Sequence, residues 1–145
     1  MPTVQLSPHF TLAEMIYSET ALRRGIDNTP PDTIVENLKR LCERLEEVRN
    51  ILAGPMIISS GYRCIELNRA IGSSDTSAHV KGLACDFTCP SAGTPKDICN
   101  RIIASGIKYD QVIHEYGSWV HFGLGDIARM MALTIDSNGT RLGIA

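Results

Sequence analysis

Two histidines and an aspartate stand at a spacing that could hold a metal ion. His79 and Asp86 fall within the run Ser77-Ala78-His79-Val80-Lys81-Gly82-Leu83-Ala84-Cys85-Asp86, and His121 follows downstream in Trp119-Val120-His121. Two imidazoles and one carboxylate are a common facial set for a catalytic zinc, because three protein ligands leave the fourth tetrahedral position open for water. Zinc lowers the pKa of such a water to about 7, which makes a nucleophile at neutral pH. Gly82 lets the chain turn between His79 and Asp86, so both side chains can converge. Each histidine alone reads more simply as a satisfied core or surface residue. The combination shifts that reading, since an unpaired aspartate buried beside Ala84 and Cys85 would be costly and a metal removes the cost.

The elements that must position these residues are legible from periodicity and caps. Thr11-Leu12-Ala13-Glu14 has the capping-box pattern, with Phe10 as a staple residue, and predicts a helix from about Leu12 to Arg23 that stops at Gly25. Thr29-Pro30 opens a second helix. Its apolar stripe is Ile34, Val35, Leu38, Leu41, Leu45, Val48 and Leu52, and Gly54-Pro55 ends it. Met56 to Ser59 reads as a strand, Ser60-Gly61-Tyr62-Arg63 as a turn, and Ile65 to Ile71 as a short helix. Gly72 to Thr76 is a loop. Leu83 to Thr88 alternates as a strand, with Ala84, Asp86 and Thr88 on one face. Thr94-Pro95 starts a helix that Gly106 closes. Gln111 to Glu115 and Trp119 to Leu124 form a hairpin around Gly117-Ser118, and Asn138-Gly139 marks a weaker one. Helices first and strands later indicate an α+β fold, with N-terminal helices packed on a small antiparallel sheet carrying the zinc site. One domain is expected over residues 1–145, with a core of about 10–124 and a tail at 125–145.

Composition narrows the partners. The net charge of −2 gives no basic field for nucleic acid or an anionic membrane. No apolar run approaches the ~20 residues of a membrane span. The N-terminus lacks a basic region followed by an apolar stretch, so synthesis in the cytosol without a signal peptide is expected. Five cysteines, an odd number, then suggest reduced thiols. Cys85 and Cys89 read as small core hydrophobes, because no second Cys/His pair has matching spacing. A monomer is expected.

The pattern Ser77-x-His79-x-x-Gly82-x-Ala84-x-Asp86, preceded by Ser60-Gly61-Tyr62-Arg63 and followed by Trp119-x-His121, resembles the M15 zinc peptidases. These comprise D-Ala-D-Ala carboxypeptidases, D,D-dipeptidases and phage L-alanyl-D-glutamate endolysins acting on bacterial cell-wall peptides. The likeness runs from about Phe10 to Leu124 and is nearest to short bacteriophage and prophage members. It implies one zinc ion on His79, Asp86 and His121. It implies that Arg63 holds a substrate carboxylate or polarises the scissile carbonyl, and that Ser77 lines the substrate site.

One departure concerns the general base. Many family members carry a carboxylate three residues before the last ligand histidine; here that residue is Ser118. If Glu115 pairs with Trp119 across a three-residue loop, Glu115 shares a face with His121 and can act as the base. If the turn is Gly117-Ser118 alone, the register slips by one and His114 takes that place. Glu115 is preferred. Trp119, on the His121 face, is read as a substrate platform. The function expected is hydrolysis of a peptidoglycan stem peptide, by carboxypeptidase or endopeptidase action, after release to the wall or within a virion. The rival reading is an inactive metal-binding virion or structural module.

Overall fold

The longest apolar stripe builds the longest helix. In the computed structural model, which describes residues 4–145, α3 runs Asp32–Leu52 and buries Leu38, Leu41, Leu45, Val48 and Leu52. Before it come the strands β1 (Gln5–Ser7) and β2 (Phe10–Thr11) and the helices α1 (Leu12–Ile16) and α2 (Glu19–Arg24). After it come β3 (Ile57–Ser60), α4 (Ile65–Ile71), β4 (Ala84–Thr88), α5 (Pro95–Ser105), β5 (Gln111–Glu115), β6 (Trp119–Gly123), β7 (Met131–Asp136) and β8 (Gly139–Leu142). The architecture is α+β. The helices α3 and α5 pack on the sheet face that carries Cys85, Phe87, Val112, Val120 and Phe122, all buried in one core. Full burial of each large side chain contributes about 1.5–3 kcal/mol. The opposite face, bearing Asp86 and His121, is left for the site.

The six strands lie in the order β3-β4-β6-β5-β7-β8. The sheet is mixed rather than antiparallel: β5 and β7 run parallel, with Gln111 opposite Met131 and Glu115 opposite Ile135. The reason is local. The strand β6 ends at Gly123, opposite the start of β5. Residues 124–130 cross that end of β5, held by Met131 N–H on the Asp110 carbonyl (2.9 Å) and by Arg129 on the Asp110 carboxylate (2.6 and 2.9 Å). The chain therefore re-enters on the far side of β5 in the direction of β5. Segment 125–145 thus places β7 and β8 in the sheet, joined by a hairpin with Asp136 opposite Gly139.

The first predicted helix is two helices. Its capping box forms as expected at Thr11 and Glu14. Tyr17 is then extended, and the Ser18 hydroxyl accepts from Ala21 N–H at 3.1 Å, capping a new start. A serine that can satisfy a free N–H competes with continuing the helix. The second predicted helix begins at Asp32, two residues beyond Pro30. The β1–β2 pair was not anticipated; it docks on α3, where Glu46 accepts from Ser7 Oγ (2.5 Å) and His9 N–H (2.8 Å).

Candidate metal centre and active-site cleft

Backbone pairing sets two of the three expected ligands, and a neighbouring turn sets the third. Asp86 on β4 lies directly opposite His121 on β6, so both side chains leave the same face of the sheet. His79 arrives from outside the sheet, on a 3-10 turn at Ala78–Lys81, just beyond the loop expected at Gly72 to Thr76. Ser77 caps that turn, its hydroxyl accepting from His79 N–H at 3.2 Å. Gly82 ends it at φ +70°, where a Cβ would also strike Ile34 Cγ2 at 2.9 Å. His121 Nδ1 lies 3.0 Å and His79 Nε2 3.3 Å from the same oxygen, Oδ1 of Asp86. One ligand atom from each residue lies within 4.8 Å of the others, and all three residues are largely buried.

The donor chemistry fits a zinc ion. His79 Nδ1 sits 2.7 Å from the Gly61 carbonyl and can only donate there. That bond fixes the tautomer and leaves the Nε2 lone pair facing the site, the outer contact that ligand histidines generally make. Burial lowers the His79 pKa against the pull of Asp86, so the ring is neutral, as a ligand must be. Burial works against ionisation of Asp86, but the two imidazoles beside it, the His121 N–H first, outweigh it and hold the carboxyl well below the usual carboxylate range. Gly123 leaves room for the ring: a Cβ there would meet His121 Nε2 at 3.3 Å.

The Ser60–Arg63 turn is clamped by three residues. Tyr62 N–H donates to the Met15 carbonyl (2.8 Å) and Arg63 N–H to the His79 carbonyl (3.1 Å). Gly61 must be a glycine, because a Cβ would lie 2.2 Å from the Met15 carbonyl oxygen. The third clamp is Asn28, which the sequence does not single out. Its Nδ2 donates to the carbonyls of Ile16 (2.9 Å) and Tyr62 (3.0 Å), and its Oδ1 accepts from Cys64 N–H at 2.8 Å. Its only mark in the sequence is a polar residue between Asp27 and Thr29, which reads as ordinary turn chemistry.

The hairpin register puts the two candidate bases on opposite faces. Glu115 pairs with Trp119, and Ile113 with His121, so Glu115 and His121 share the site face. Glu115 Oε1 is 3.8 Å from His121 Nδ1. His114 pairs with Val120 on the other face, and its ring meets the Ala145 carbonyl at 3.0 Å. Burial, then the charge of Asp86, raises the Glu115 pKa; His121 and Arg63 pull it down. A raised carboxylate pKa suits a group that must take and return a proton.

These residues open into a cleft of ≈ 480 Å³ lined by Arg63, Ser77, His79, Asp86, Glu115, Trp119 and His121, with Ile71 and Tyr116 at its rim. Burial lowers the Arg63 pKa while Asp86 and Glu115 oppose it; an arginine stays charged throughout. Among the described residues, Arg63 Nε and Trp119 Nε1 are buried and find no hydrogen-bond partner. The Glu115 carboxylate and the Trp119 indole N–H attract each other, but no aligned hydrogen bond forms between them. The five cysteines are free thiols, and none joins the histidine–aspartate group.

A buried His/Asp/His group on a sheet, with a carboxylate and an arginine in one open cleft, defines the class of metal-dependent hydrolases. Within that class the chain belongs to the peptidase M15 family: the family model described as Peptidase M15 matches residues 8–123, most of the sequence. M15 peptidases are zinc-dependent, which agrees with the metal group found here, and the family implies a peptide substrate. No curated protein gives a match to the chain. No helix among the described residues is long and apolar enough to cross a membrane.

Proposed function

We propose that this metallopeptidase hydrolyses a peptide bond in the stem peptides of bacterial peptidoglycan, with one zinc held by His79, Asp86 and His121. The observation that carries the reading is the position of Glu115, 3.8 Å from His121 and on the same face, in a cleft that also holds Arg63. When bound, zinc would polarise the scissile carbonyl and lower the pKa of a water molecule to about 7. Glu115 accepts the proton of the attacking water and returns it to the leaving nitrogen. The water oxygen bonds to the acyl carbon, the C–N bond breaks, and a carboxylate and an amine result. Arg63 lines the cleft and offers its guanidinium to the oxygen that gains charge, or to a substrate carboxylate. Trp119 gives the substrate a flat platform, and Ser77 lines the cleft while holding the His79 turn.

The wall peptide as substrate rests on the Ser77–Asp86 motif and its likeness to phage and prophage enzymes. The reading extends to a monomer acting as one peptidase domain, made in the cytosol and reaching the wall after release or as part of a virion. A carboxylate poised over the ligands favours an enzyme over an inactive metal-binding module. The test is to incubate the zinc-loaded protein with purified peptidoglycan and identify soluble products by mass spectrometry. New amine and carboxylate ends in the stem peptide are expected. Zinc-loaded protein that leaves wall peptides intact would refute the reading.

A further inference from the structure

Two further clefts meet the metal group from different directions. One, of ≈ 380 Å³, shares Arg63, Ile71, Asp86 and Trp119 with the central cleft and continues past Ser59 and Ser60 of β3 to Glu19 and Arg23 of α2. The other, of ≈ 320 Å³, shares Ser77 and His121 and continues past Ile113 and Gln111 to Lys81 and Leu124. All three lie on one side of the sheet, because Ser60 pairs with Asp86, Asp86 with His121, and His121 with Ile113. From Glu115 to Gln111 alone the floor is about 13 Å long at ~3.3 Å per strand residue. That length holds about four extended residues.

Resting on the peptidase reading, we propose that the protein is an endopeptidase: the substrate chain runs through the site and is cut at an internal bond. An enzyme that removes one terminal residue needs a wall just beyond the scissile bond, with a cation there to take the terminal carboxylate. Arg63 lines both the central cleft and the arm toward α2. It therefore flanks the path of the chain and does not end it. Beyond Arg63 the arm stays open, rimmed by Tyr17, which is 60 % exposed. Beyond His121 the other arm reaches the exposed Lys81, which makes no ion pair among the described residues, whereas Arg129 nearby is bound to Asp110. Room on both sides of the ligands serves a chain that continues in both directions. Water adds across the bond, leaving a new carboxylate on one fragment and a new amine on the other.

The experiment compares a stem pentapeptide with free ends against the same peptide acetylated at its N-terminus and amidated at its C-terminus. Both are digested by zinc-loaded protein and the products weighed by mass spectrometry. Cleavage at the same internal bond is expected, with kcat/KM within a factor of about three, since no terminal charge is read. Release of a single C-terminal residue would overturn the inference and leave the peptidase reading standing. Amidation lowering kcat/KM by about 100-fold would do the same, as expected for a lost arginine–carboxylate pair. Zinc-loaded protein that cuts neither peptide nor intact wall would sink the peptidase reading and this inference with it. Lys81→Ala and Arg23→Ala report on the two arms separately. Each should lower kcat/KM on the blocked peptide by about two- to fivefold, the scale of an exposed charge contact. An effect at only one of the two would show a one-sided site.

Discussion

Asn28 ties the Ser60–Arg63 turn to the rest of the protein, and its removal should act at a distance from the proposed chemistry. Asn28→Ala deletes three hydrogen bonds of 2.8–3.0 Å and strands Cys64 N–H together with the carbonyls of Ile16 and Tyr62. Each buried group left unpaired costs about 1–3 kcal/mol, and water entering the gap recovers part of the sum, so a net loss of about 3 kcal/mol is expected. For a chain of this size that lowers the melting temperature by about 6–12 °C. The same change frees the segment that sets Arg63 and the Gly61 carbonyl under His79. Turnover measured well below the new melting point should therefore fall too, with weaker zinc binding. Asn28→Asp is the sharper probe. It keeps shape and the acceptor for Cys64 N–H but turns a second oxygen toward two carbonyl oxygens 2.9 and 3.0 Å away. Thermal denaturation and zinc titration of both variants check the reasoning. An Asn28→Asp protein as stable as the parent would refute it, because the two donated bonds would then carry no weight.

Glu115→Gln keeps the side chain's shape and removes its basicity; turnover on wall peptides should fall by on the order of 10²–10⁴ with zinc still bound. His114→Ala, on the opposite sheet face, should leave turnover largely intact, and the reverse pattern in the same assay would mean that the base has been misassigned. Arg63→Lys replaces a planar fork by a point charge, so turnover should drop while melting temperature and zinc content hold; equal activity would make Arg63 a structural turn residue. Glu46 gives a pH signature. Its burial opposes ionisation, but hydrogen bonds from Ser7 and His9 outweigh that and lower its pKa in the folded state. Its contribution is thus complete above the unfolded value near ~4.3 and fades as pH falls through the lower folded value. Glu46→Gln should destabilise at pH 7, with the difference closing in acid; a gap that widens in acid would contradict the assignment.

What could be read in the sequence was what depends on neighbours along the chain. The caps at Thr11 and Thr94 announce helix starts because a short side chain satisfies N–H groups three residues on. The stripe of α3 and the alternation of β4 and β6 follow from periods that place apolar residues on one side. The shared face of Asp86 and His121 follows from that alternation together with the motif, and so does the face of Glu115 once its register with Trp119 is chosen. What escaped is non-local or balanced. The parallel placement of β7 depends on a loop crossing the end of β5, which no pattern within β7 encodes. The break at Tyr17 and Ser18 is a contest between helix continuation and a local cap. The part played by Asn28 lies in partners up to 36 residues away.

Metal analysis and titration with zinc, on parent protein and on His121→Ala, test the centre of the proposal most directly. Protein purified without added zinc should carry close to one zinc per chain. Stripping the metal should abolish hydrolysis of wall peptides, and zinc should restore it. His121→Ala should bind zinc far more weakly, because it removes one of three ligands from an otherwise intact site. Zinc affinity unchanged in His121→Ala, or full hydrolysis by the stripped protein, would contradict the assignment of His79, Asp86 and His121 as a catalytic zinc site.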